Sequence, residues 1–571
     1  MSPCSARVRR SRGAARRSTR VAATASPWPR RARSPGRRRS GAHGRPTVAE
    51  LAVSELGKAI AAAALASGKP VLDAGRGQPN WLSTAPRAAA HLLGLVAAEE
   101  AEAASDDPMW GRAPRRDGIA GRVRNRLAAT AGLLGPGGTA RRGADFLEDA
   151  LRYGVEELGF EPDAWAHELV VGALGSSYPS PTRSLTHVEA VLGRYLAEVT
   201  SAGRPPPGRF HIFGTEGGAA AMAYVFRALR ENELLGGGAK IALATPIFTP
   251  YLHIPILEDF GFEVVELPAG HLTPDRFGDE LIDRLAAPDI KAFFLINPGN
   301  PDSRALPDEW LAHLRDLVER RRPDLIVVTD TVYATFVDGF RSLAAEIPRN
   351  VICLHSFSKH FGATGARLGF VAVHEDSVLD ELLAAQGPAA RRAQQQRYRS
   401  VTGDVSSLSF VDRMVADSRE VALHNIAGLA TPDQVQMAMF ALALVMPSGR
   451  EYFERTRAQL RHRLDALFGP LGLHEPGGRD SFYYALVDLL AVAANRRGAG
   501  FATWLAEHVD PASIVLRLAA EHGVVVLPGQ VFGAPQWDVR LSLASLDAGQ
   551  LGAVAAALLA VIDTVPDGPS G

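Results

Sequence analysis

The sequence predicts an α/β fold: a large domain built on a mostly parallel, seven-stranded open sheet, joined to a smaller α+β domain. Three observations predict it. Seven short apolar runs occur between residues 210 and 373, none of them alternating with polar residues, as strands covered on both faces require. Segments of helical period lie between most of these runs, for example 217–231 and 307–321. From residue 431 on, long helical patterns give way to three further short strand-like runs.

The elements follow in chain order. Residues 1–46 hold fourteen arginines and no acidic residue, leaving 48 basic against 62 acidic residues for the remainder. This basic tail has Ser, Pro and Gly but little apolar period, so it reads as disordered. It suits a nucleic-acid-binding arm, a transit segment, or, the reading favoured here, an extension with no part in the chemistry. Residues 47–200 form an N-terminal segment contributing to the small domain and an interface. It opens with a helix over 47–70 on Val48, Leu51, Leu56, Ile60 and Leu65, and a Gly/Pro-rich loop follows, GRGQPNWLSTAPR (75–87). Helices are expected near 86–104 and over 145–175, and a second loop at SSYPSPTR (176–183). The large domain, 201–380, carries the runs FHIF, KIALA, EVVEL, AFFLI, LIVVT, VICLH and LGFVAV. Residues 381–430 are polar and helical in tendency, an insertion or interface. Residues 431–565 form the smaller domain, with helices near 432–446 and 450–468 before FYYALVDL, VVVLP and VRLSLA.

The chain of 571 residues has 46% hydrophobic residues and no apolar run long enough to span a membrane. Its two cysteines, Cys4 and Cys353, cannot make a disulfide framework, and no metal-type spacing surrounds them, which fits a reducing, cytoplasmic setting and no metal.

Six segments carry chemistry. In SFSKHFGATGARLGF (356–370), Lys359 follows a strand directly, where ligands bind in open α/β sheets. A partly desolvated lysine there can form an imine, and Arg367, eight residues on, can reach a phosphate. In VVTDTVYATF, Asp330 ends a buried-type strand and can hold the proton of a pyridinium nitrogen; a strand-end N-cap is the plainer reading. Tyr333 lies one helical turn further. In INPGNPDS, Asn297 and Asn300 flank a proline-set turn that can offer an amide to a phenolate oxygen. In GTEGGAAAMAYVF, a Gly-rich turn opens a helix with an apolar face of Met222, Val225, Phe226 and Leu229. Amides at such a start suit a phosphate, but Glu216 does so only if its side chain points away. In PIFTPY, Phe248 can stack on a ring. In WDVRLSLA, Arg540 is either a snorkelling edge residue or a bidentate carboxylate clamp.

Taken in order, these segments resemble the fold-type I enzymes that use pyridoxal 5'-phosphate (PLP), the aspartate aminotransferase superfamily. Over residues 47–565 the segments GRGQPNW, YPSPTR, FGTEGG, INPGNP, TDTVYATF and SFSKHFGATGARLG resemble the aspartate 4-decarboxylase family more closely, with Gln78 where that family has asparagine. The resemblance implies PLP as cofactor and roles for named residues. Lys359 anchors the cofactor and moves a proton, Asp330 meets the ring nitrogen, and Asn300 and Tyr333 meet the ring oxygen. Phe248 stacks, and Glu216, Gly217, Gly218, Ser356 and Arg367 line the phosphate. Tyr178 reaches the phosphate of a partner subunit, which implies a homodimer or larger homo-oligomer. Arg540 holds the substrate α-carboxylate with Asn300 beside it, and Arg76 is the candidate for the second carboxylate. The implied reaction converts L-aspartate to L-alanine and CO2, with aminotransfer to a 2-oxo acid as a side activity. The rivals are an ordinary aminotransferase, a transcriptional regulator with an aminotransferase-like domain, and a silent scaffold. The regulator needs a helix-turn-helix that 1–46 lacks, so no nucleic-acid or membrane partner is expected, and intact Lys359 and Asp330 argue against the scaffold.

Overall fold

A computed structural model describes residues 53–107, 109–133, 137–268, 281–421, 428–475 and 479–566. The Arg-rich tail, with Val48 and Leu51, lies outside the described residues. The strands are β1 (Leu72–Asp73), β2 (Phe210–Thr215), β3 (Lys240–Thr245), β4 (Glu263–Pro268), β5 (Ile290–Ile296), β6 (Ile326–Asp330), β7 (Val351–Ser356), β8 (Gly369–His374), β9 (Tyr484–Asp488), β10 (Val524–Val525), β11 (Leu527–Pro528) and β12 (Asp538–Ser542).

All seven apolar runs enter one sheet, in the order β2-β8-β7-β6-β5-β3-β4. Only β8 runs against its neighbours, pairing antiparallel with both β2 and β7. The absence of polar alternation now has its cause. Successive residues point to opposite faces, and each face has its own core. Phe293, Leu295, Val327, Val351 and Cys353 pack on one side with helices Ala85–Ala103, Thr186–Thr200 and Thr431–Val445. Phe294, Val328, Ile352 and Leu354 pack on the other with Met222, Val225, Phe226 and Leu229 of helix Gly218–Glu231, the apolar face expected of it.

The second sheet is antiparallel, β11-β12-β9. Its core takes residues from helices Gly449–Leu471, Pro511–His522 and Ala548–Asp563, together with Leu56, Ile60 and Ala64 of helix Val53–Ala66. The described residues all belong to one compact unit, Val48–Gly571.

Three expectations need correction. Leu65 is 74% exposed, on the solvent face of the first helix. The helix expected over 145–175 is two helices, Thr139–Glu156 and Pro162–Leu174. Glu161 caps the second by accepting from the amides of Asp163 and Ala164, and Pro162 cannot continue the first. The run VVVLP is two strands: β10 pairs in parallel with β1, and β11 pairs with β12. That division matters for the site. The β1–β10 ladder delivers the loop after Asp73 beside β12, which carries Arg540.

Candidate active site

The carboxyl ends of β6 and β7 hold Asp330 and Ser356. Past β7 the chain turns through Ser358, Lys359 and Gly362 and returns as β8, leaving Arg367 in the left-handed region at φ 54°. That conformation is strained for a residue with a Cβ. It is held where the guanidinium donates to the carbonyls of Thr364 (3.0 Å) and Glu216 (3.3 Å). Opposite it Gly217 has φ 87°, and a Cβ there would stand 2.6 Å from Arg367 Nη2. Gly218 then opens helix Gly218–Glu231, with Ser356 Cβ 3.5 Å from where its own Cβ would lie. The result is an exposed guanidinium and a helix start with no side chain in the way, a cradle for a phosphate-sized anion. The Glu216 side chain points away, accepting from the Tyr224 hydroxyl at 3.1 Å. Its carboxylate therefore does not oppose an anion on the other side of the turn.

Asp330 Oδ1 accepts from the Val332 amide at 3.0 Å, and Oδ2 from the Tyr251 hydroxyl at 3.4 Å. Burial raises its pKa to about 6, against the lowering by the Val332 amide, Tyr251 and Lys359. A carboxylate held this way gains from a cation placed against it. Lys359 Nζ donates to Gly77 O at 2.9 Å and sits 5.7 Å from the centre of the Tyr483 ring. The adjacent His360 is buried and pushed down to about 3 by desolvation, with the nearby His355 adding to this, so it stays neutral. Lys359 is thus the amine of the site and His360 is not a competing base.

Arg540, 4% exposed on β12, donates from Nη1 to Asn300 Oδ1 at 3.0 Å and from Nη2 to Gly75 O at 2.6 Å, and its Nε meets no hydrogen-bond partner among the described residues. Its guanidinium lies 4.2 Å from the centre of the Tyr484 ring and 4.6 Å from that of Phe532. A buried guanidinium with a free donor, held only by neutral groups, is poised for a carboxylate. Asn300 Nδ2 donates to Tyr333 Oη at 3.4 Å, and Tyr333 donates to Tyr484 Oη at 3.1 Å.

The fold therefore brings Lys359, Asp330, Tyr333, Asn300 and Arg540 to one place, with Glu216, Gly217, Gly218, Ser356 and Arg367 forming the cradle at the neighbouring strand ends. Three further candidates are open to solvent. Phe248 is 38% exposed and Tyr178 is 69% exposed. Arg76 points outward and pairs with Asp73 at 2.8 Å, while the carbonyls on either side of it, Gly75 and Gly77, serve Arg540 and Lys359. The sequence reading missed Tyr484, Tyr483 and Tyr251. The pairing of the strand that holds Tyr484 with the strand that holds Arg540 emerges only in the structure.

Similarity to known proteins agrees with this geometry. Residues 211–558 match the family model for class I and II aminotransferases. A protein of Pseudomonas sp., the bifunctional aspartate aminotransferase and L-aspartate beta-decarboxylase, is 40% identical over 508 residues, covering 87% of this chain and 94% of that protein. Among solved structures, an aminotransferase from Mycobacterium tuberculosis superposes with a TM-score of 0.53 at 17% identity, covering 92% of this chain and all of that one. A double mutant of the Thermus thermophilus aspartate aminotransferase gives 0.51 at 18% identity over 91% of this chain. The structures share the fold-type I architecture, and the chain belongs to the class I and II aminotransferase family.

Proposed function

We propose that this protein removes the β-carboxylate of L-aspartate as CO2, producing L-alanine, with aspartate aminotransfer as a side activity and PLP as its cofactor. The observation that carries the reading is the near full-length similarity to the Pseudomonas protein, whose name holds both activities. The residues fit the cofactor. Gly217, Gly218, Ser356 and Arg367 would hold its phosphate, in the space that a Cβ on Gly217 would close. Asp330 would hold the ring-nitrogen proton, Asn300 and Tyr333 the ring oxygen, and Phe248 one ring face. Tyr178 would reach the phosphate of a second copy in a homodimer. PLP, when bound, supplies an electron sink for bonds at the substrate α- and β-carbons.

The protein's own groups then divide the work. Arg540 exchanges the Gly75 carbonyl for the substrate α-carboxylate, gaining a charged partner for a neutral one. Lys359 gives up the Gly77 carbonyl and moves the proton at the α-carbon. Arg76 reads the β-carboxylate after leaving Asp73.

The test is the product inventory from purified protein, PLP and L-aspartate, with and without a 2-oxo acid. Alanine and CO2 in equal amounts without an acceptor support the reading. Oxaloacetate formed only with the 2-oxo acid, and no CO2, makes the protein an ordinary aminotransferase.

A Cβ on Gly77 would lie 2.3 Å from Tyr484 Oη and 3.1 Å from Lys359 Nζ. Gly77→Ala therefore displaces the Tyr484 hydroxyl by a large fraction of an ångström and Lys359 Nζ by a few tenths, and kcat on aspartate falls by about 10²-fold. The circular dichroism spectrum stays unchanged, because the clash involves side-chain ends and not backbone. Normal turnover by this variant would mean that neither group needs its position.

A further inference from the structure

The hydrogen bonds in the site have a direction, and it ends on Tyr484. Arg540 carries only donors, so the Asn300 atom it meets at 3.0 Å is Oδ1, and Nδ2 must face Tyr333. With that amide donating to its oxygen, Tyr333 passes its own proton toward Tyr484 Oη at 3.1 Å. Tyr484 is the terminal acceptor, and among the described residues its own proton meets no acceptor. Its ring lies beneath the Arg540 guanidinium at 4.2 Å. Its hydroxyl shares the open side of Gly77 with Lys359 Nζ.

Donors in series polarise one another, and neighbouring cations favour a phenolate. Burial works to raise the Tyr484 pKa, but Lys359, Arg540 and the Tyr333 hydrogen bond outweigh it and hold the phenol below the ordinary tyrosine range. The two other tyrosines of the group, Tyr333 and Tyr483, are raised well above that range, chiefly by burial, and stay phenols.

Aspartate decarboxylation needs protons at two carbons. Lys359 serves the α-carbon. The β-carbon must also take up a proton once its carboxylate has left. We propose that Tyr484 is the second proton-transfer group of this site, delivering its hydroxyl proton to the substrate β-carbon. The inference rests on the decarboxylase reading and adds the residue that completes it. The Cβ–carboxylate bond breaks, CO2 leaves, and the bonding pair remains with the β-carbon. That pair takes the Tyr484 proton to make the third C–H bond of the alanine methyl group. Tyr484 is left as a phenolate beside Lys359 and Arg540 and recovers a proton from water. Per turnover, aspartate takes up one proton and releases one CO2. Aminotransfer needs no proton at the β-carbon, so the hydroxyl separates the two outcomes.

Tyr484→Phe tests this, keeping the ring beneath Arg540 and removing only the hydroxyl. Alanine and CO2 formation are expected to fall by about 10²-fold, at least about tenfold further than oxaloacetate formation with a 2-oxo acid, which bears only the cost of the lost hydrogen bond from Tyr333. A second readout needs no cofactor. In the ligand-free protein, the tyrosinate ultraviolet absorbance of the wild type contains a step below the ordinary tyrosine range, and Tyr484→Phe lacks it. Parallel loss of both products, or identical titrations of the two proteins, overturns the proposal. Wild-type protein that forms oxaloacetate but never CO2 overturns the decarboxylase reading itself, and the proposal with it. That result is visible without any variant.

Discussion

Lys359→Ala is expected to lose aspartate turnover by about 10⁴-fold, the upper end of what a positioned acid–base group contributes. It also loses the visible absorbance band that PLP gives on binding to its lysine. The fold is expected to survive. Among the described residues Lys359 makes a single hydrogen bond, to Gly77 O, and that carbonyl also accepts from the Tyr483 hydroxyl at 2.8 Å. Removing the amine leaves no buried acceptor unpaired, so the stability change stays within about 1 kcal/mol. A denaturation curve and a cofactor spectrum on the same sample separate the two effects. If the variant keeps the band and the activity, another amine anchors the cofactor. His360 cannot replace it, since burial keeps its ring neutral and an imidazole forms no stable imine.

The same contrast between backbone and side chain explains what could be read in advance. The seven strands were legible because both sheet faces are buried, so each strand is a bare apolar run with no rival periodicity. Asp330, Ser356, Lys359 and Arg367 were legible because ligand chemistry at strand ends lies close to its strand in sequence. The break at Glu161–Pro162 was also written in the chain, as a capping carboxylate before a proline, and was overlooked. Other features leave no such trace. Val526 separates two ladders that belong to different sheets, a division only the partner strands decide. Gly75 and Gly77 act through carbonyls, which every residue has. The family resemblance makes Arg76 the candidate for the second carboxylate, and nothing local in the sequence says that Asp73, three residues earlier, takes its guanidinium. Tyr484 works through Tyr333, 151 residues away in the chain, and Arg540, which no local pattern joins to it.

Asp330→Asn is expected to change stability and activity in opposite directions. Burial holds the folded pKa near 6, above the ordinary aspartate value of 3.8. The folded protein therefore binds this proton more tightly than the unfolded chain does. The stabilisation from the protonated acid is complete below pH 4 and is lost as the pH rises through 6. The full rise corresponds to roughly 3 kcal/mol, and solvent at this partly exposed residue reduces it to the order of 1–2 kcal/mol. Asparagine carries no charge to desolvate, and its amide oxygen can still accept from Val332 N–H. The ligand-free variant should thus be the more stable protein at pH 8, and the difference should close by pH 4. Activity moves the other way. With PLP bound, asparagine cannot neutralise a protonated ring nitrogen, and removing one partner of a buried ion pair costs about 4 kcal/mol, or about 10³-fold in turnover. Urea denaturation of both ligand-free proteins across pH 4 to 8, with kcat measured alongside, tests both halves. A variant less stable than wild type at pH 8 would make Asp330 a structural acceptor for Val332 and Tyr251. A stabilised but inactive variant would mean that the folded protein carries an unfavourable buried charge that only a bound cation relieves, which is the physical meaning of a site prepared for its cofactor.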